Sequence, residues 1–205
     1  LALCQLAIAM SSLFIFHLIG PLAEWGRRLG SGEHASLWTN TPLAISVLLP
    51  STLFIGATFP FAVRLHAQSQ GDAAPATARV YAWNTAGAIT GAMFTGLFLL
   101  PAAGFSGTAL CAVSTSLLLA AVIILCRENR STFLLSALAV SIVSLIIFPP
   151  ERPDSILRMS PFAGRNESGE PLFSRVGRSA TVYLSEFHGS YYLRTNGLPE
   201  ALIPA

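Results

Sequence analysis

The sequence contains no lysine, and only 11% of its 205 residues are charged. Soluble proteins carry about 25% charged residues, so this scarcity excludes an ordinary water-soluble surface over most of the chain. The absence of lysine excludes Schiff-base lysine and P-loop lysine chemistry within these residues. A net charge of +2 offers no strongly basic surface, and we expect no nucleic-acid partner.

Cysteine and histidine are few and scattered. The three cysteines, Cys4, Cys111 and Cys126, form no C-x-x-C pair and are interpreted as small buried hydrophobic residues. No histidine has a cysteine or carboxylate at ligand spacing, so we expect no metal site. The histidines are His17, His34, His66 and His188. Gly30 and Gly32 follow no predicted strand, which favours a loop over a phosphate-binding turn.

Long apolar runs dominate the first 149 residues. Hydrophobic residues make up 53% of the chain, and its mean hydropathy is +0.61. A helix needs roughly 20 apolar residues to cross a hydrocarbon core of about 30 Å. The sequence therefore predicts an all-α helical transmembrane bundle over residues 1–149, with the lipid bilayer as its partner. Its five predicted spans are about 1–19, 43–63, 80–101, 105–126 and 132–149.

Polar segments connect these predicted spans. The connection 20–41 carries Trp25 and Trp38, which suit the headgroup zone of a bilayer. Residues 66–78 predict a polar linker, and residues 127–131 predict a charged turn. Arginine is divided almost evenly between alternate loops, so the positive-inside rule does not fix the orientation.

The chain changes character after its last apolar run. Residues 150–170 predict a linker, because they are rich in proline, arginine and glycine and show no periodicity. Residues 171–205 predict the first strands of a small antiparallel β-domain. Two turn signals, His188-Gly189 and Asn196-Gly197, separate stretches that alternate between apolar and polar residues.

The predicted strands place several apolar side chains on one face. Val182 and Leu184 alternate with polar residues, as do Tyr191 and Leu193 in the next stretch. These four residues predict an apolar face that further protein must cover, because a lone hairpin is marginal in water. We therefore interpret the chain as part of a longer protein.

The third predicted span carries small residues at helical spacing. Two adjacent rows at i, i+4 and i+8 predict a face that packs closely against another helix. The rows are Gly87, Gly91 and Thr95, and beside them Ala88, Ala92 and Gly96. Asn84 lies near one end of the same span and is a candidate intramembrane polar site. The alternative for Asn84 is a structural hydrogen bond to a neighbouring helix.

The second predicted span contains Pro50 and Pro60. Each proline removes one intrahelical hydrogen bond, so this span is predicted to be kinked. Kinked helices occur both in transporters and in inert helical bundles, and the prolines alone do not choose between them.

Three runs of the chain resemble one known family. They are LLPSTLFIGATFPFAVRL (48–65), ARVYAWNTAGAITGAMFTGLFLLPAAGFSGT (78–108) and GRSATVYLSEFHGSYYLRTNGLPEA (177–201). Together they resemble the bacterial membrane-bound spermidine synthase-like proteins, also described as fused major-facilitator/spermidine synthase proteins. In that family a multi-span region precedes a small β-domain, which a Rossmann-like catalytic domain follows.

The resemblance implies a polyamine aminopropyltransferase-like protein. Such an enzyme transfers an aminopropyl group from decarboxylated S-adenosylmethionine, its co-substrate, to a polyamine. In the family the catalytic residues lie in a downstream domain, and no G-x-G-x-x-G loop occurs here. The resemblance therefore implies no catalytic residue and no cofactor in this chain, which we expect to be inactive alone. It also implies a bacterial inner-membrane protein whose C-terminal domain is cytoplasmic.

Two other functions remain open from the sequence. The helices could form a module that transports a small, polyamine-type solute, with the soluble domain as its sensor. They could also serve only as the anchor of an enzyme domain. No Asp, Glu, Lys or Arg lies in the middle of a predicted span, which favours anchoring over transport.

Overall fold

A computed structural model describes residues 1–29, 37–67, 72–126, 131–151 and 170–204. It consists of long helices followed by a small antiparallel sheet, as the sequence predicts. The helices are α1 (Ala2–Leu29), α2 (Leu37–His66), α3 (Ala73–Phe94), a π-helix (Thr95–Leu99), α4 (Leu100–Leu125) and α5 (Thr132–Ile147). The strands are β1 (Glu170–Val176), β2 (Thr181–Phe187), β3 (Ser190–Thr195) and β4 (Leu198–Ile203).

Three helical stretches of the described chain are long and apolar enough to cross a membrane. They are Ala2–Leu22, Thr41–His66 and Ala73–Leu125, and α5 is a shorter apolar helix. The predicted spans 80–101 and 105–126 both fall within the third stretch, so the count of five spans is not confirmed. A straight helix of its 53 residues would be about 80 Å long, more than twice the thickness of a hydrocarbon core of about 30 Å.

The helices α1, α2 and α3 extend beyond the predicted boundaries. α1 continues through Gly20 and Pro21, because one proline removes a single hydrogen bond and leaves the rest of the ladder in place. α3 begins at Ala73, inside the predicted linker 66–78. The first turn of a helix tolerates proline. In addition, the Thr77 hydroxyl donates a hydrogen bond to the Ala73 carbonyl at 2.8 Å. The predicted turn 127–131 and linker 150–170 fall mainly outside the described residues.

The core of the helical unit is a seam of small and branched apolar side chains. The buried positions of α1 and those of α4 are each spaced by four, three and four residues, which keeps them on one helical face. They are Ala2, Leu6, Ala9 and Leu13 in α1, and Val113, Leu117, Ala120 and Ile124 in α4. Leu134 of α5 joins the same cluster. None of these residues was singled out by the sequence analysis.

The second and third helices keep large apolar side chains exposed. α2 packs against α1, yet no described side chain of the stretch Thr41–His66 is buried. In α3 the only buried residue is Ala76. α2 continues as one helix through Pro50 and Pro60, the positions of the predicted kinks. Contiguous exposed apolar surface of this kind marks a site of interaction with a membrane or another protein.

The four strands form a meander in the order β1-β2-β3-β4, with all neighbours antiparallel. The predicted turns are confirmed, because both central residues of each have positive φ. The values are 51° for His188, 78° for Gly189, 53° for Asn196 and 80° for Gly197. This is the type I′ geometry that matches the twist of a hairpin. The Asn196 side chain also accepts a hydrogen bond from the Thr181 N–H at 2.8 Å.

One strand was missed by the sequence analysis. β1 pairs with β2, although the sequence predicted only two strands and the start of a third. A register shift between Pro171 and Phe173 breaks the alternation of β1, and proline cannot donate to a ladder. The strand therefore lacks the period-two pattern that revealed β2 and β3.

Candidate functional site

The predicted helix-packing face of α3 is open in the described chain. Gly87, Ala88, Gly91 and Ala92 are exposed, while Thr95 and Gly96 are half-buried within the π-helix. A Cβ atom built on Gly87, Gly91 or Gly96 would meet no atom within 4 Å. No described helix packs against these rows, and their role in helix packing stays a prediction.

Gly91→Leu tests whether another helix covers this face. We expect the variant to lower the melting temperature in detergent, because a branched side chain would separate two closely packed backbones. The structure leaves open space at Gly91, so the covering helix would lie outside the described part of the chain. Leu97→Ile in the same helical run is the mild control. Equal melting of the two variants would show that the small-residue face meets lipid or solvent.

Asn84 lies on the exposed surface of α3. Its neighbours Tyr81 and Trp83 are also exposed, at 63% and 79%. The structure gives the Asn84 side chain no hydrogen bond within the described residues. An unsatisfied amide is costly in hydrocarbon, so a membrane location would require a partner for this side chain. The proposed polar site and the proposed interhelical hydrogen bond both stay predictions.

A cluster of three hydroxyls links α1 to α2, and the sequence analysis missed it. The Ser11 and Ser51 hydroxyl oxygens are 3.1 Å apart, and those of Ser12 and Ser51 are 3.4 Å apart. Ser11 also donates to the Ile8 carbonyl at 3.2 Å. All three serines are near the middle of apolar helices, where interhelical hydrogen bonds fix the register of a pair. The adjacent serines in an otherwise apolar run were the available signal.

The long helical run from α3 to α4 is interrupted at one glycine. Gly104 has φ 67° and ψ −172°, a backbone conformation that glycine alone adopts readily. A Cβ atom on Gly107 would lie only 2.7 Å from the Ala103 Cβ, so glycine is required there as well. The π-helix precedes this break by a few residues. The interruption falls in the predicted gap between the third and fourth spans.

The sheet has two chemically different faces. The register places Val182, Leu184, Leu193 and Tyr191 on one face, as predicted. Arg175 and Glu186 also lie on this mainly apolar face, which is only half-buried or exposed. The opposite face carries the buried side chains of β2 and β3, and most of them are polar. Its buried residues in β2 and β3 are Thr181, Tyr183, Ser185 and Arg194.

Two hydroxyls on that face have no hydrogen-bond partner within the described residues. They are the Tyr183 Oη and the Ser185 Oγ, in residues that are 2% and 1% exposed. Leaving a buried donor unsatisfied costs about 1–3 kcal/mol. The apolar/polar pattern identified the strands but did not reveal which face would be buried.

The cysteines differ from the prediction at two of three positions. Cys4 is buried, as predicted, whereas Cys111 and Cys126 are exposed. Cys111 lies away from the face of α4 that carries the core seam, and Cys126 follows the end of that helix. In the parts of the chain that are described, no three His, Cys, Asp or Glu residues form a group that could hold a metal ion. His34, Gly30 and Gly32 lie outside the described residues.

The described side chains form no arrangement of nucleophile, base and orienting group. What they provide instead is helix contacts, a glycine-specific break and a small sheet with one open apolar face. Comparisons of the chain with protein-family models, with curated proteins and with solved structures found no match.

Proposed function

We propose that the chain is the membrane-embedded part of a polyamine aminopropyltransferase-like protein of the bacterial inner membrane. The intact protein would transfer an aminopropyl group from decarboxylated S-adenosylmethionine to a polyamine. The helices would hold the protein in the membrane, and the sheet would be the first part of a cytoplasmic catalytic region. Residues 1–205 would be inactive alone.

The open apolar face of the sheet is the observation that carries this proposal. Phe173, Leu184, Leu193 and Ala201 form one cross-strand row on that face. Phe173 is 49% exposed and Ile203, in a neighbouring row, is 56% exposed. Burying each large side chain would contribute about 1.5–3 kcal/mol. A sheet with such a face gains stability from a further domain, as the family's architecture provides.

The glycine break supports two spans within the longest helical run. Helices on either side of Gly104 would each be long enough to cross a bilayer, whereas an unbroken helix of 53 residues would be far too long for a single crossing. A turn at Gly104 would divide this run into two spans, which would give the five spans predicted from the sequence. A turn there also divides the run close to the predicted gap.

Isothermal titration calorimetry on the complete gene product in lipid nanodiscs tests the function. We expect decarboxylated S-adenosylmethionine to bind, and added putrescine or spermidine to yield an aminopropylated product detectable by mass spectrometry. Residues 1–205 in the same nanodiscs are the matched control, and we expect them to show neither binding nor product. Their failure to bind would place the nucleoside site outside this chain.

A complete gene product that binds neither S-adenosylmethionine nor its decarboxylated form would contradict the transferase proposal. The alternative function is then a polyamine-type solute transporter with a soluble sensor domain. The Ser11, Ser12 and Ser51 hydroxyls favour this alternative, because they place polar groups at the contact between two apolar helices. Uptake of labelled putrescine into proteoliposomes would distinguish it from a simple membrane anchor.

A further inference from the structure

The C-terminal end of α5 lacks its usual source of capping donors. The Phe148 N–H donates to the Ser144 carbonyl at 2.8 Å, and this is the last hydrogen bond of the helix. The next residues, Pro149 and Pro150, have no N–H groups. They cannot donate to the carbonyls of the last turn, which the residues after a helix commonly do.

A side chain from another helix supplies a donor at this point. The Nε2 atom of His17, in α1, is 3.1 Å from the Phe148 carbonyl oxygen. A neutral imidazole protonated at Nε2 donates to such a carbonyl. The rings of His17 and Phe148 also meet edge to face, with centroids 6.4 Å apart and planes at 77°. The hydrogen bond and the ring contact thus join the same two residues.

We propose that His17 caps α5 in trans and fixes the end of α5 against α1. Phe148 has left the helical conformation, with φ −120° and ψ 67°, so its carbonyl is directed by the turn rather than by the helix ladder. A donor from α1 therefore sets the position at which the chain leaves the helical unit. This is a positioning role for His17, and it does not depend on the proposed enzymatic activity.

Two other roles for this histidine receive less support from the structure. A metal ligand would need further ligands nearby, and the described residues contain no group of three that could hold a metal ion. Aromatic packing alone would not require a ring nitrogen within hydrogen-bond distance of a carbonyl oxygen. The experiment therefore tests the loss of the hydrogen-bond donor separately from the loss of the aromatic ring.

Hydrogen–deuterium exchange of the purified chain in detergent tests the cap. His17→Phe keeps an aromatic ring and removes the donor, whereas His17→Gln keeps an N–H donor at a similar reach. We expect the Ile147 and Phe148 amides to exchange about three- to tenfold faster in His17→Phe, the range expected for the loss of one hydrogen bond. We expect His17→Gln to exchange near the original rate.

The control replaces a histidine that makes no such contact. His66, in the last turn of α2, is exposed, and its side chain makes no hydrogen bond to any described residue. We expect His66→Phe to leave exchange at the end of α5 unchanged. Because Pro149 and Pro150 carry no amide hydrogen, a peptide that ends there reports only on α5 itself.

Three outcomes of the exchange experiment would overturn the proposal. The first is an unchanged rate in His17→Phe. The second is an equal acceleration in the Phe and Gln variants, which would assign the effect to the imidazole ring. The third is acceleration along all of α1 and α5, which would show general loss of packing rather than loss of a cap.

A measurement on the unaltered protein keeps the test valid if His17→Phe does not fold. Solid-state NMR can measure the distance between His17 Nε2 and the Phe148 carbonyl carbon in labelled protein. The N···O distance of 3.1 Å and a C=O bond of about 1.2 Å predict a separation of about 4 Å. A separation above about 5 Å would exclude a direct hydrogen bond and overturn the proposal.

Discussion

Ala120→Leu is expected to lower the free energy of unfolding of the helical unit by about 1–3 kcal/mol. Ala120 is 0% exposed and belongs to the core seam with Ala9, which is 1% exposed. A leucine at this position adds three carbon atoms where the structure provides no accessible space. Neighbouring side chains would have to leave their preferred rotamers or the helices would have to separate.

The matched control for this variant is Ala112→Leu. Ala112 lies on the same helix, α4, but its side chain is exposed. The substitution is chemically identical, so helix propensity and added hydrophobicity change equally in the two variants. Unfolding in detergent, followed by circular dichroism, gives the difference in stability. Similar stabilities for the two variants would contradict the seam between α1 and α4.

Gly104→Ala is expected to destabilise the protein by about 1–3 kcal/mol, the usual cost of holding a residue other than glycine in a sparsely populated backbone region. With φ 67° and ψ −172°, an alanine Cβ at Gly104 would clash with the local backbone even though no other atom lies within 4 Å. The cost therefore comes from the backbone conformation at this position and not from contact with another part of the protein.

Gly87→Ala is the control, because it makes the same change within a regular helix. Gly87 lies in α3 and has open space around its Cβ position. Alanine is a better helix former than glycine by about 0.5–1 kcal/mol, so this variant should be neutral or more stable. The two substitutions are thus expected to change the stability of the protein in opposite directions. A stabilising effect of Gly104→Ala would show that the helix continues unbroken and would remove the support for two spans.

The positions of the hairpin turns could be predicted because they depend on local chemistry. Asn196-Gly197 and His188-Gly189 allow positive φ at adjacent residues, and the structure shows positive φ at all four positions. The gap predicted between the third and fourth spans, 102–104, also contains the glycine at which the helix breaks. In each case the decisive property belongs to the residue itself, namely the conformational freedom of glycine or the tolerance of asparagine for positive φ.

The small-residue rows show the limit of the same reasoning. Gly91 and its neighbours allow a close approach by another helix, but whether one is present depends on the rest of the protein. In the described chain the most deeply buried small residues are instead Ala9 and Ala120, in the core of the helical unit. Alanine and leucine are so common in apolar helices that their spacing did not distinguish this seam from the other faces.

The contacts that join distant parts of the chain were beyond sequence reasoning. The hydroxyls of Ser11 and Ser51 meet because α1 and α2 pack together, and His17 reaches Phe148 across 131 positions of sequence. No local pattern encodes such pairs, since each depends on the relative placement of two helices. The spermidine synthase-like resemblance, likewise, stays a proposal that the calorimetric experiment can decide.

By itself the sequence determined a chain of long apolar helices followed by an antiparallel sheet, because helix length, hydropathy and turn propensity act over neighbouring residues. Tertiary structure alone decided that the seam of α1 and α4 forms the core and that the polar face of β2 is the buried one. It also decided that His17 meets the end of α5. Whether a face is buried depends on what packs against it. An alternating or helical pattern in the sequence defines the face but does not identify the element that covers it.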